Sequence, residues 1–395
     1  MVKHATGGIL LIAGTCIGAG TLALPITTAQ LGIGYSVLAF LICWVFMTAS
    51  ALLMLEANLR IAPGHNLIPM AQASLGTPGK VIAWITYLML LYSLTAAYLN
   101  GASGWVIAQA YDLLGLTLNI NQSAVFLVAI IALIVFAGHT IADWTNRVLM
   151  LGLGVTFVLL LFSTGNAFSF ETLTAHETHW QWVMFPTLIT TFGYHIVIPT
   201  LTVYIECNKT LRGIIIKGAL IPLVTYLLWE VWVLGLLNTE QLTAVAVDPN
   251  TTAALASALQ HLGKNPIIAS LASAFTIFVI ITSFIGVTLS LFDFLADGFG
   301  IKANTLVSRL GVTAVAFVPP LTFVLLYPAG FLFALSFAGM FVAILLGIYP
   351  ALMVWQARYL MRTTTDYTVS GGKPLLLLVL AFFAGITGIS IYMMV

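Results

Sequence analysis

The stretch "IAGTCIGAGTLALPI", residues 12–26, lies inside the first long apolar run of the chain. It carries Gly14, Gly18, Gly20 and Pro25 where an uninterrupted membrane helix has Leu, Ile and Val. That this run meets a bilayer follows from composition. Of 395 residues, 61% are hydrophobic and 6% charged, against about 25% charged in an ordinary soluble domain. So few charges cannot cover a water-soluble surface. The net charge of +1 points to no nucleic-acid or strongly acidic partner. Cys16, Cys43 and Cys207 lie in or beside apolar runs, without zinc-ligand spacing or an even-numbered disulfide framework. No metal and no cofactor is therefore expected. With only Lys3 and His4 ahead of it, the first run is too long for a signal-peptide core and reads as an uncleaved span.

Runs of about 18 or more apolar residues mark candidate spans. Eleven are found, at about 7–31, 33–58, 81–110, 122–140, 147–166, 181–204, 213–237, 266–292, 306–326, 328–355 and 374–394. Turn or polar signals separate them: "LGIG" at 31–34, "TPGK" at 77–80, "FSFETLTAHETH" at 168–179, and a bare "YPAG" at 327–330. No linker or soluble domain interrupts the series, so the chain reads as one membrane domain. With the N-terminus inside, twelve of the thirteen Lys and Arg fall in inner segments and Lys264 alone falls outside. The acids divide six inside and five outside, with Glu230 within a span. That asymmetry is the one expected of basic residues in a multi-pass protein of the cell inner membrane. An odd number of crossings then places the C-terminus outside.

In hydrocarbon every backbone N–H and C=O needs a partner, so a helix is interrupted only where it lines a cavity. Gly14, Gly18 and Gly20 permit unusual dihedrals, and Pro25 removes a donor. Together they fit a helix unwound near its middle, whose second half presents N–H groups to an anion such as a carboxylate. Small residues four apart also seat neighbouring helices; that is the competing reading of Gly14 and Gly18. The sixth run weighs against it. "TTFGYHIVIPT" (190–200) again sets a glycine, Gly193, ahead of a proline, Pro199, and adds His195 at bilayer depth. Runs one and six are five apart and so cross in opposite directions. Interrupted segments at matching places in two inverted halves are the sequence mark of a transporter site.

The glycine-rich first span resembles that of the amino acid–polyamine–organocation superfamily. The "TTFGYHIVIPT" of span six, "LTAAYLNGAS" of span three (94–103) and "TSFIGVTLSLFDFLADGF" of span eight (282–299) resemble the hydroxy and aromatic amino acid permeases, those for tyrosine before those for tryptophan. The likeness runs over nearly the whole chain. It implies an all-α LeuT-type fold: two five-helix inverted repeats (about 7–166 and 181–355) with discontinuous helices one and six, plus an eleventh helix (about 374–394). It also implies proton-driven uptake of an aromatic amino acid, L-tyrosine first, by a monomer. Carried over, the unwound stretch Thr15, Cys16, Ile17, Gly18, Ala19 and Gly20, with Gly14 beside it in the site, would receive the substrate carboxylate. Carbonyls around Phe192 and Gly193, with Tyr194 and His195 beside them, would receive the ammonium. Tyr92, Thr95 and Tyr98, three apart in span three, would share one side of a helix, and one of their hydroxyls would close over the substrate; packing is the alternative.

The coupling ion has several candidates. Thr282 and Ser283 stand where relatives using sodium set two hydroxyls against span-one carbonyls, although hydroxyls in membrane helices commonly bond back to their own backbone. His195 is the central titratable group. Glu230 is intramembrane, a functional flag, but "WEVW" (229–232) also has the composition of an interfacial belt. Other chemistries fit poorly. In "HETH" (176–179) the histidines are three apart rather than four, "GASG" (101–104) lacks the closing glycine of a nucleophile elbow, and "GTPGK" (76–80) lacks the spacing and hydroxyl of a phosphate loop. Nothing resembles the repeated filter or charge ring of a channel. A broader neutral amino acid permease remains the alternative to an aromatic one.

Overall fold

The computed structural model describes residues 2–137, 139–163, 168–174, 180–205, 207–261, 266–301 and 305–394. The "HETH" segment, Glu206, Lys264 and Lys302 lie outside the described residues. Within them the chain is helical, and no strand is found. Nine helices are long and apolar enough to cross a membrane. The pair Ala5–Cys16 and Gly20–Thr28, bent by 57°, makes a tenth span when taken together. The fourth expected run is present as the shorter apolar helix Ile120–Phe136.

Two connections between the expected runs contain helix. Helix is found on both sides of "TPGK": the stretch Leu67–Leu114 is two helices joined at a kink at Gly76 (φ 72°, ψ −167°), beside that signal. This backbone conformation is open to glycine and strained for other residues. Pro78 follows in the first turn after the kink, where its missing N–H costs nothing. The connection after span seven, between the expected runs 213–237 and 266–292, contains helices Thr239–Val247 and Thr251–His261. The first of these starts at a reciprocal cap in which Asn238 accepts from Gln241 N–H and Gln241 accepts from Asn238 N–H.

The spans are apolar on every side, so packing rather than polarity decides which face turns inward. On the second span (Gly32–Ile61), Ala39, Phe40, Cys43 and Met47 are fully buried, while the equally apolar Leu38, Leu41 and Val45 are exposed, as a lipid-facing stripe requires. Four spans pack on the counterpart five along: the second half of the first on the start of the sixth, the second on the seventh, the third on the eighth and the fourth on the ninth, while the fifth packs on the eighth and the tenth on the third. This is the pairing of two inverted five-helix repeats. Close approach depends on glycine at the tenth span, where a Cβ on Gly339 would run into the backbone carbonyl of Pro186 at the start of the sixth. The buried side chains form two clusters. One is built on the second, sixth, seventh, tenth and last spans, and the other on the third, fourth, fifth, eighth and ninth with Gly20–Thr28. The two broken helices run between them.

One charged group is built into the end of the second span. Glu56 is fully buried and accepts from Arg60 Nε and Arg358 Nε, each at 2.7 Å, and from the Val369 N–H at 2.7 Å. Arg60 also reaches the Thr363 carbonyl, and Arg358 the Val369 carbonyl. The carboxylate thereby ties the tenth span and the segment after it to the second. Removing one partner of a buried ion pair costs about 3–5 kcal/mol. Glu56→Gln should therefore lower the midpoint of thermal unfolding of the detergent-solubilised protein; an unchanged midpoint would show that the cluster carries no such load.

Candidate functional site

The first span is helical to Cys16, unwound over residues 17–19 and helical again from Gly20. The interruption is narrower than the expected Thr15–Gly20. Thr15 and Cys16 remain in the first half-helix, with the Thr15 hydroxyl returned to the Leu11 carbonyl at 2.7 Å. The amides of the break are mostly engaged. Ile17 N–H donates to the Ala13 carbonyl (3.1 Å), and a tight turn restarts the helix through Thr21 N–H to Gly18 C=O (2.8 Å) and Leu22 N–H to Ala19 C=O (3.2 Å). Ala19 N–H donates to Ser283 Oγ at 2.9 Å. No hydrogen bond engages the Gly18 and Gly20 amides among the described residues. These two N–H groups sit at the positive end of the second half-helix. Neither position admits a side chain: a Cβ on Gly18 would meet Ser283 Oγ, and one on Gly20 would lie 2.7 Å from Thr191 Cγ2.

The sixth span breaks at the same depth. Helix Phe185–Thr191 stops at Phe192, Gly193 follows, and a short 3-10 turn Tyr194–Val197 leads into Ile198–Tyr204, with Pro199 in its first turn. The last carbonyls of a half-helix point out of its negative end without intrahelical partners. One residue from another span answers both breaks. The Tyr226 hydroxyl, fully buried on the seventh span, lies 2.6 Å from the Cys16 carbonyl and 2.8 Å from the Thr191 carbonyl. It has a single proton to share between the ends of the two first half-helices. Both breaks are thereby joined at one hydroxyl.

Around this joint lies a cavity of about 470 Å³, within the range of small-molecule sites. Gly14, Thr15, Cys16, Ile17, Gly18, Gly20, Gly193, Tyr98, Thr282 and Ser283 line it, as do Tyr87, Asn146, Thr190 and Thr191. Ala19, Phe192, Tyr194, Tyr92 and Thr95 do not. Phe192 and Tyr194 are buried in the side-chain cluster of the second and seventh spans. Tyr92 turns to the ninth span and donates to the Val315 carbonyl at 2.8 Å, while the Thr95 hydroxyl returns to Leu91 C=O at 2.7 Å. The expectation that the three would share a side fails on geometry: six residues at about 100° each carry Tyr98 some 120° around the helix from Tyr92. The hydroxyls of Thr282 and Ser283 both return to their own helix, Thr282 to Phe278 C=O (2.8 Å) and Ser283 to Val279 C=O (3.0 Å). Ser283 additionally serves as the acceptor that holds the first break.

His195 is fully buried and lines a second cavity of about 610 Å³ instead. That cavity runs to the exposed side chains of Gln72, Lys80 and Asp297. The two cavities share Tyr87, Ile196, Val197 and Leu346, so the central site adjoins the end of the bundle where the second span ends and the third begins. The opposite end is covered. Gln181 hydrogen-bonds Gln30, the Thr252 hydroxyl donates to the Gly101 carbonyl at 2.7 Å, and Asn100 donates to the Pro328 carbonyl at 2.6 Å. Glu230 lines neither cavity. Its reading as an interfacial-belt residue is overturned, because it is fully buried beneath that cover with Trp229, and Trp232 is nearly so. The seventh span turns this face to Gly20–Thr28 rather than to lipid. Tyr226 and Asn146 were not singled out from the sequence; the one available signal was a hydroxyl and an amide placed within otherwise apolar runs.

The comparisons agree with this geometry. The chain is 32% identical to the tyrosine-specific transport system 1 of Haemophilus influenzae over 98% of its length and 96% of that protein. It is 31% identical to a tryptophan-specific transport protein of Pseudomonas aeruginosa over 95% and 91%. In fold it is similar to the inward-facing conformation of Mhp1, with a TM-score of 0.61 and 14% identity, covering 99% of this chain and 90% of that one. Residues 1–390 match the tryptophan/tyrosine permease family, and the chain belongs to that family.

Proposed function

We propose that the protein is a secondary active transporter that takes up an aromatic amino acid together with protons, L-tyrosine before tryptophan and phenylalanine, by alternating access. The observation that carries this reading is the meeting of two half-helix ends of opposite sign at one cavity. The Gly18 and Gly20 amides offer two donors to a carboxylate at the start of Gly20–Thr28. The carbonyl end of Phe185–Thr191 offers acceptors to an ammonium on the other wall. A zwitterion satisfies both ends at once, and a simple anion or cation leaves one unanswered. The phenol of Tyr98 on the third span lines the cavity and offers a polar contact to a ring. Sequence likeness to tyrosine- and tryptophan-specific relatives supports the ring itself.

Proton coupling is preferred to sodium coupling because Ser283 Oγ, one of the two hydroxyl oxygens a sodium site would use, already accepts the Ala19 N–H. With the N-terminus inside, the cavity bounded by Lys80 and Asp297 faces the cytoplasm, and the covered end is the outer one. Uptake into proteoliposomes tests the ion directly: accumulation driven by an inward proton gradient without sodium is expected, and a strict sodium requirement at fixed pH would refute it.

Two substitution and competition results should follow from the site. Gly18→Ala places a methyl group against Ser283 Oγ and shields the Gly18 amide. Losing one charge-assisted hydrogen bond predicts at least about tenfold weaker uptake at normal membrane levels, and unchanged uptake would mean that the glycine serves packing only. In competition against radiolabelled tyrosine, the three aromatic amino acids should inhibit most strongly. Inhibition by leucine or serine but by none of the aromatics would leave only a carrier of neutral amino acids.

A further inference from the structure

Glu230 is a buried acid that the substrate site does not use. Its Oε1 accepts the Thr28 hydroxyl, and its Oε2 has no hydrogen-bond partner among the described residues. The hydroxyl of Ser36, itself buried and without a partner there, faces the same carboxyl. Among the described residues no cation pairs with it. Gly20–Thr28 carries no titratable residue. On the second span Tyr35 is exposed, and Glu56 and Arg60 belong to the cluster at the far end. Glu171 on the short helix Phe170–Thr174 is exposed, and Cys16 belongs to the break below Tyr226. On its own helix, Lys209, Arg212 and Lys217 lie at the opposite end. Glu56, by contrast, is a buried carboxylate with two guanidinium groups and an amide around it. Glu230 has hydroxyls only.

We infer that Glu230 is the proton site of the transporter, and that its protonation allows Gly20–Thr28 to dock against the seventh span and close the outer side. This rests on the proton-coupled reading above. A bare carboxylate in this place would lose its hydration for one or two hydroxyl contacts, whereas a neutral carboxyl can both accept from Thr28 and donate to Ser36. The closed outer side therefore favours the protonated form, and the charged form favours opening. That difference is the coupling between proton and conformation. Glu230 takes one proton from the outer solution before closure. Once the inner side opens, Glu230 releases that proton to the inner solution, so that one proton enters and one leaves per cycle. Glu230, charged again, then drives the empty carrier back to the outward state.

The test uses the full chain in proteoliposomes with radiolabelled L-tyrosine. Glu230→Gln keeps an acceptor for Thr28 but cannot gain or lose a proton. For one proton per substrate, an inward gradient of about one pH unit supports about tenfold accumulation in the wild type. In Glu230→Gln that ratio should fall to about one, while exchange of labelled for unlabelled tyrosine at equal pH stays within about threefold of wild type. Glu230→Asp, which retains an ionisable group, should accumulate with a shifted pH profile. Accumulation by Glu230→Gln at the wild-type ratio, loss of exchange as well as accumulation, or an unshifted profile in Glu230→Asp would each overturn the assignment. Sensitivity confined to His195→Gln would do the same. A wild type that ignores the proton gradient would refute proton coupling itself, and the assignment with it. Wild-type coupling that survives in Glu230→Gln refutes the assignment alone.

Discussion

A backbone polar group in hydrocarbon must have a partner, and the centre of this protein is arranged around two places where the helix cannot supply one. The interruptions at residues 17–19 and at Phe192 and Gly193 free carbonyls at the ends of two half-helices and amides at the start of another. Tyr226 answers the carbonyls of Cys16 and Thr191 with one hydroxyl, and Ser283 answers the amide of Ala19. What remains unanswered, the amides of Gly18 and Gly20, lines the cavity. The same requirement that makes broken helices costly thus leaves donors at one point. The third, eighth and tenth spans serve as the frame that keeps that point from collapsing, in part through the close contact of Gly339 with Pro186.

Much of this is legible in the sequence because interruptions need particular residues. A helix that unwinds in a bilayer uses glycine for its dihedrals and proline where the donor is dispensable, so Gly18, Gly20, Gly193 and Pro199 mark the breaks without any structure. The partners that satisfy the breaks are not legible in the same way. Tyr226 is one aromatic among several in its span, and nothing local says that its hydroxyl meets carbonyls 210 and 35 residues away. Likewise Ser283 carries the hydroxyl expected of an ion site, yet whether it faces an ion or an amide depends on where the first span bends. Regular spacing misled for Tyr92 and Tyr98, because a period of three drifts around a helix of 3.6 residues per turn. Flanking tryptophans misled for Glu230, because a buried aromatic pair and an interfacial belt have the same composition.

The two buried carboxylates differ in what surrounds them. Glu56 is enclosed by two arginines and a backbone amide at the end of the second span. Glu230 is enclosed by hydroxyls at the joint between the first and seventh spans. Their difference is in partners rather than depth.

The account stands on a site that holds a carboxylate on one broken helix and an ammonium on the other. Binding of L-tyrosine, tyramine and 3-(4-hydroxyphenyl)propionate to the purified protein, measured by calorimetry at one pH, tests that claim most directly. The two analogues keep the phenol and remove one charge each. Loss of a charge-assisted hydrogen-bonding group predicts that each binds at least about tenfold more weakly than tyrosine. Tyramine or the propionate binding as tightly as tyrosine would show that one of the two helix ends plays no part in recognition, and would contradict the account.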